Sequence, residues 1–210
     1  MVFHDRSEAG RRLGAALQGW QALDPVVLGM ARGGTVVGAE VAHALGAPFD
    51  VCVARKIGAP RNPEYAVGAV APGATWVDEA MVHLLDVPRE YLSRAITAES
   101  EELERRESLY HGSHPAIDVT GRTVILVDDG LATGATARAA VSSLRRRGAT
   151  RIIFAAPVGC TAGIARLHPV VDDVIILTIP WEFHAVSQAY TEFHQVEDEE
   201  VLEQLGGVAA

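Results

Sequence analysis

Val124-Ile125-Leu126-Val127-Asp128-Asp129-Gly130-Leu131-Ala132-Thr133-Gly134-Ala135-Thr136 reads as a buried strand that ends on two adjacent carboxylates. A short loop of small and hydroxyl residues then opens a helix. Each part has a physical use. Open parallel sheets bind ligands beyond the carboxyl ends of their strands. A helix N-terminus presents unpaired N–H groups and the positive end of its dipole, which suits a phosphate. Gly134 lets the backbone approach closely, and Thr133 and Thr136 add hydroxyl donors. Asp128 and Asp129 would repel a phosphate, so they are expected to face hydroxyls or a Mg²⁺ ion. A phosphate and a polyol side by side describe a sugar phosphate. The competing reading, in which the two aspartates merely cap a helix, leaves the Thr-Gly-x-Thr spacing without a reason.

The chain around this stretch alternates in the same way. Apolar runs at Val26–Leu28, Phe49–Ala54, Thr123–Val127, Arg151–Ala156 and Val174–Thr178 lack polar alternation. Helical patterns lie between them at Thr35–Leu45, Pro88–Tyr110, Ala135–Arg147 and Thr161–Leu167, after an opening amphipathic helix over Gly10–Trp20. Asp5 is placed to cap that first helix, with Glu8 at capping-box spacing. Apolar runs separated by helices indicate parallel strands buried on both faces. The expectation is an α/β fold with about five mainly parallel strands and helices on both faces. A core over about 24–178 carries a flexible loop with a small hairpin at about 55–77. That segment holds Pro60, Pro63 and Pro72, and a connection of such length is usually functional or mobile. A more aromatic tail, about 179–210, is expected to form a small hood with the N-terminal helix.

Composition narrows the function. At 210 residues, 49% apolar and 21% charged, the chain fits one globular domain. A net charge of −9 argues against nucleic acid as a partner. No apolar run approaches a membrane span, and the start carries no basic-then-apolar signal, so a cytoplasmic protein is expected. Two cysteines, Cys52 and Cys160, make no disulfide framework and read as reduced. A single Asn, Asn62, is a weak thermophile signal. Lys56 is the one lysine among 18 basic residues, which rules out a Walker A loop. There is no G-x-G-x-x-G, H-E-x-x-H, C-x-x-C or G-x-S-x-G. His111 and His114 fit a surface turn better than a metal site, and His184 and His194 read as isolated histidines.

The strand, the acidic pair, Ala132-Thr133-Gly134-x-Thr136 and the helix resemble the signature for phosphoribosyl diphosphate (PRPP) in type I phosphoribosyltransferases. Ala132, where hypoxanthine/guanine-type members usually carry Asp, looks more like the adenine-type branch. Two further segments fit. Gly29–Gly34 lies where the family binds pyrophosphate through loop amides, often beside a cis peptide, with Arg32 as the natural cation. Arg55-Lys56 directly follows a strand, as the catalytic loop does in adenine-type members. The Asp-Arg-x-Glu-Ala-Gly opening and the Glu-Phe-x-Ala-Val-x-x-x-Tyr tail look like an uncharacterised branch of the family.

The resemblance implies transfer of a 5-phosphoribosyl group from PRPP to a small nucleobase-like acceptor, with Mg²⁺ as cofactor and pyrophosphate released, as in nucleotide salvage. The amides of Ala132, Thr133, Gly134, Ala135 and Thr136 would bind the 5-phosphate. Asp128 and Asp129 would position the ribose hydroxyls and the Mg²⁺. Ala31, Arg32 and Gly33 would hold pyrophosphate, and Arg55 and Lys56 would close over the transition state. Phe183 either stacks on the base or, with Trp181, fills the hood core. Glu64 is either a general acid/base or an exposed turn residue. Family members are often dimers, so a homodimer is a further expectation. Two other readings stand beside this one: a PRPP-binding regulator without turnover, and a phosphohydrolase using Asp128.

Overall fold

The computed structural model describes residues 2–63, 65–112 and 115–207. Glu64 and His114 lie outside the described residues. A five-stranded parallel sheet forms the centre. Its strands are β1 (Val26–Met30), β2 (Phe49–Cys52), β6 (Thr123–Val127), β7 (Arg151–Val158) and β8 (Asp173–Thr178), in the spatial order β2-β1-β6-β7-β8. All four pairings are parallel. The unbroken apolar runs have a direct cause. Val27, Ile125, Val127, Ile153 and Ala155 point to one face, where Leu13 of α1 (Arg6–Ala16), Leu17 at its C-cap, and Val37 and Val41 of α2 (Gly33–Leu45) cover them. Val26, Leu28, Val124, Leu126, Ile152 and Phe154 point to the other face, beneath Ala137, Val141 and Leu144 of α5 (Ala135–Arg146) and Leu167 of α6 (Thr161–Leu167). Strands covered on both sides gain nothing from polar alternation.

The strand order reverses between β1 and β6. From β1 the chain moves outward to β2; from β6 it moves the other way, to β7 and β8. Loops leaving β1 and β6 therefore diverge and open a crevice at the carboxyl edge, where ligands of such sheets bind. Both predicted phosphate loops lie there.

Residues 55–77 are not one long irregular loop. The expected hairpin is present as β4 (Ala66–Ala71) and β5 (Ala74–Val77), but β3 (Arg55–Gly58) joins it to make a three-stranded antiparallel sheet. The sheet is fastened on both sides. Tyr91 of α4 (Arg89–His111) donates its hydroxyl to the Gly58 carbonyl at 3.0 Å, and Ser143 of α5 donates to the Pro72 carbonyl at 2.6 Å. Two helices were not anticipated, α3 (Glu79–Leu84) and α7 (Asp198–Gly207). Helix α1 packs on α2 and also meets the tail, through Ala9 beside Ala189 and Tyr190 and through Arg6 beside Phe193. The tail does return to the N-terminus, where Phe3 and Tyr190 form a parallel bridge. Trp181 is not hood core: it is 99% exposed. No described helix is long and apolar enough to cross a membrane.

His111 is also not on a surface turn. It is the last residue of α4 and is nearly buried, 3.1 Å from Asp50 of β2 and 3.3 Å from Glu107. Hydrogen bonds to Asp50 and Glu107 raise its pKa to about 9. The folded protein therefore binds this proton more tightly than the unfolded chain, whose histidine titrates near its ordinary value of about 6.5. The resulting stabilisation is complete below about pH 6.5 and is lost as pH rises through 9. Thermal melts between pH 6 and 9.5 should show the melting temperature falling across that window. His111→Gln should flatten the slope and lower stability by about 3 kcal/mol at pH 6, because Asp50 then keeps a buried charge without its partner.

Candidate active site

The β6–α5 loop, the predicted sugar-phosphate loop, starts where β6 ends. Leu131 anchors its base: its N–H donates to the Val158 carbonyl at 2.8 Å, and its own carbonyl accepts from the Cys160 N–H at 2.9 Å. The Cys160 thiol donates to the Ala132 carbonyl at 3.1 Å. Gly163 of α6 packs so tightly beneath that a Cβ there would lie 2.1 Å from the same carbonyl. Gly134 caps α5 with φ 76°, a left-handed conformation that glycine adopts without a Cβ clash. The turn aims the first N–H groups of α5, which have no helical partners, into the crevice.

Lys56, Asp128, Gly130, Leu131, Ala132, Thr133, Gly134, Thr136 and Ala137 line one cavity of about 180 Å³. The lone lysine therefore reaches the loop from a different sheet, across 72 residues of sequence from Asp128. Ala135 is buried in the first turn of α5, directly beneath. Arg55 is not at this cavity. Strand β3 turns alternate side chains to opposite faces, and Arg55 points to α4, where Nε and Nη2 contact Glu99 at 2.8 and 2.7 Å. The sequence set Arg55 and Lys56 side by side; the strand separates them.

Ala31, Arg32 and Gly33 form the loop at the end of β1, and the Ala31–Arg32 peptide is cis. The Arg32 guanidinium turns away from the Lys56 cavity, 2.8 Å from Glu197 and 3.9 Å from Asp198 at the start of α7. With Arg6, Gly33 and Phe193 it lines a second, shallower pocket. Gly34 brings this loop against the other one. A Cβ there would stand 2.7 Å from the Val127 carbonyl oxygen and 2.8 Å from the Asp128 Cα.

The two aspartates differ. Asp128 faces the Lys56 cavity, with Oδ1 accepting the Asp129 N–H at 2.9 Å. Burial, and then the neighbouring carboxylate, push its carboxyl well above the usual range. Asp129 instead turns to Arg6, whose Nε donates to Oδ2 at 2.8 Å. Burial raises this carboxyl as well, while the guanidinium pulls it down. Arg6 was not anticipated as a site residue; the signal available was the Asp-Arg-x-Glu-Ala-Gly opening. Among the described residues no cluster of three or more His, Cys, Asp or Glu is arranged to hold a metal ion. Mg²⁺ commonly takes one or two protein carboxylates and draws its other ligands from substrate phosphates and water. Asp128, facing the cavity, fits that pattern; Asp129, engaged by Arg6, does not add to it.

Phe183 stands at a neighbouring pocket of about 340 Å³ that shares Ala132 and Thr133 with the sugar-phosphate loop. Tyr65, Met81, Cys160, Arg166 and His184 complete most of its wall. Phe183 also packs against the cluster around Phe3 and Tyr190, as the hood-core alternative expects. Cys52 is buried, with its thiol pushed up to about 12, and both cysteines are free.

A family profile described as a phosphoribosyl transferase domain matches residues 18–192. The chain belongs to the phosphoribosyltransferase family. A Mycobacterium tuberculosis protein named "Putative phosphoribosyl transferase" is 39% identical over 202 residues, 96% of this chain and 46% of its own length. The chain thus spans about half the length of that curated relative. Uracil phosphoribosyltransferase of Staphylococcus aureus is 42% identical over 59 residues, 28% of each chain. The crystal structure of TT1426 from Thermus thermophilus superimposes with a TM-score of 0.83 at 39% identity and covers 100% of both chains. The five-stranded parallel sheet with helices on both faces is thus shared with a solved protein of similar length.

The close approach at Gly34 gives a test of this loop packing. Gly34→Ala should destabilise the protein by about 1–3 kcal/mol, because both obstructing groups belong to the backbone. Gly19→Ala, where a Cβ meets nothing within 4 Å, should leave the denaturant midpoint almost unchanged.

Proposed function

We propose that this phosphoribosyltransferase domain transfers the 5-phosphoribosyl group of PRPP to a ring nitrogen of a flat heterocyclic base and releases pyrophosphate. One observation carries the reading. A lysine, a carboxylate and the opened N-terminus of α5 converge on a single cavity at the switch point of the sheet. A pyrophosphate, a ribose and a 5-phosphate present matching charges in that order.

In this reading the N–H groups of residues 132–136 and the hydroxyls of Thr133 and Thr136 bind the 5-phosphate. Asp128 accepts hydrogen bonds from ribose hydroxyls and holds a Mg²⁺ that arrives with the substrate. Held there, such an ion would neutralise the pyrophosphate and make it a better leaving group. Lys56 and the amides of the Ala31–Gly34 loop face the pyrophosphate oxygens. The bond from the anomeric carbon to pyrophosphate breaks with its electron pair leaving on oxygen. The acceptor nitrogen forms the new bond, and its proton passes to the departing pyrophosphate or to water. Charge develops between a cationic sugar and an anionic leaving group, so fixed charges and orientation supply the catalysis. Phe183 and Tyr65 provide flat apolar surface for the base beside Ala132 and Thr133. With Lys56 committed to the leaving group, no other lysine is present to read a 6-oxo purine. That favours adenine, or a pyrimidine such as the uracil of the partial relative's name, over hypoxanthine and guanine.

The deciding assay is pyrophosphate release from PRPP with Mg²⁺, using adenine, uracil, orotate and smaller heterocycles as acceptors. Release with one base is expected. Asp128→Asn should lower it at least 100-fold, and Lys56→Met should cost about 10²–10³ in kcat, the usual loss when one charge-stabilising group is removed. Tight PRPP binding by calorimetry without release for any acceptor would replace the transferase with a PRPP-binding regulator.

A further inference from the structure

Two motifs, one at each end of the chain, stand outside the reaction above, and both lead to Asp129. In the opening motif, Asp5 caps α1 by accepting the Glu8 N–H at 2.7 Å, and Glu8 in return accepts the His4 N–H. Gly10 lets α1 lie on α2, since a Cβ there would meet Glu40 Cβ at 2.7 Å. Arg6 is thereby carried into the interior, with its side chain only 7% exposed. Its Nε donates to Asp129 Oδ2 and its Nη1 to the His194 carbonyl, both at 2.8 Å, and its guanidinium carbon lies 3.9 Å from the centre of the Phe193 ring. In the tail motif, Tyr190 donates its hydroxyl to the Asp129 carbonyl at 2.6 Å. Val186 occupies the space above Gly130, where a Cβ would come within 2.5 Å of it. From the third side, a Cβ on Gly33 would fall 2.0 Å from Asp129 Oδ2. The carboxylate of Asp129 is wedged between Arg6 and the β1–α2 loop, and it does not line the Lys56 cavity.

We propose that the adjacent aspartates divide the work: Asp128 alone meets the substrate, and Asp129 with Arg6 is a positioning pair that locks the β1–α2 loop against the β6–α5 loop. This division rests on the transferase reading. Two free carboxylates would present twice the negative charge to a ligand that already bears several. A guanidinium on one of them removes half of that charge and uses the ion pair to hold the pyrophosphate loop at a fixed distance from the sugar-phosphate loop. A buried pair has a recognisable signature. Removing one partner strands a charge, whereas removing both together is far better tolerated.

The test is a double-mutant cycle of Arg6→Met and Asp129→Asn, read by calorimetric PRPP affinity, by kcat and KM for pyrophosphate release, and by melting temperature. Arg6→Met should weaken PRPP binding at least tenfold by leaving Asp129 bare. The double variant should recover to within about tenfold of wild type in both affinity and kcat, while Asp128→Asn stays at least 100-fold down. Arg6→Lys should retain more activity than Arg6→Met. Arg6→Gln replaces Arg6→Met if that variant does not fold. An Asp129→Asn protein as inactive as Asp128→Asn, with no recovery on adding Arg6→Met, would place Asp129 on the substrate and overturn the division alone. Wild-type protein that bound no PRPP would overturn the transferase reading, and the division with it.

Discussion

The closeness of two loops governs this architecture. Strand β1 and strand β6 are neighbours, and helix α2 sits on β1 so tightly that a Cβ on Gly29 would lie 2.7 Å from the Thr35 Cα. Because α2 begins that low, its first residues, Gly33 and Gly34, press on Asp129 and Asp128. Moving the helix outward by one side chain would part the β1–α2 loop from the β6–α5 loop. The glycines along Gly29–Gly38 are thus the condition for a site that spans two strands, and the topology of the sheet supplies the place where such a site can form.

Burial of acidic groups follows from that closeness. Packing the loops together removes water from Asp128 and Asp129, which is unfavourable for either anion. The protein answers differently at each. Asp129 receives a guanidinium, a backbone anchor through Tyr190 and an apolar cover at Gly130. Asp128 keeps its carboxyl toward the cavity and receives no arginine. One carboxylate is paired with an arginine; the other faces the cavity.

Much of this was readable along the chain, for identifiable reasons. The five central strands and the helices between them were legible because strands buried on both faces leave continuous apolar runs, as at Thr123–Val127 and Arg151–Val158. The strand, loop and helix over residues 123–146 were legible because their parts are contiguous. Features made by distant residues were not. Arg6 and Asp129 are 123 positions apart, and the opening motif that contains Arg6 does not show which distant group it meets. Strand β3 was hidden because Arg55-Lys56-Ile57-Gly58 is too short and too charged to carry a period. The period nevertheless decides which of the two cations meets the cavity. The arginines that close α5 also reach distant backbone: Arg146 grips the Gly73 carbonyl, and Arg147, at the C-cap, the Ile117 carbonyl.

The clasp between the chain's two ends also sets an order of assembly. Phe3 hydrogen-bonds to Ala189 and Thr191, and Arg6 waits for Phe193 and His194. As the chain leaves the ribosome at roughly 5–20 residues per second, the sheet and both phosphate loops can be in place before these partners emerge. Until then Asp129 has only the guanidinium, without the carbonyl and the ring that hold it still. A segment made well after the first helix therefore completes that helix's contacts, and the acidic pair reaches its final geometry only once residues 190–194 have docked.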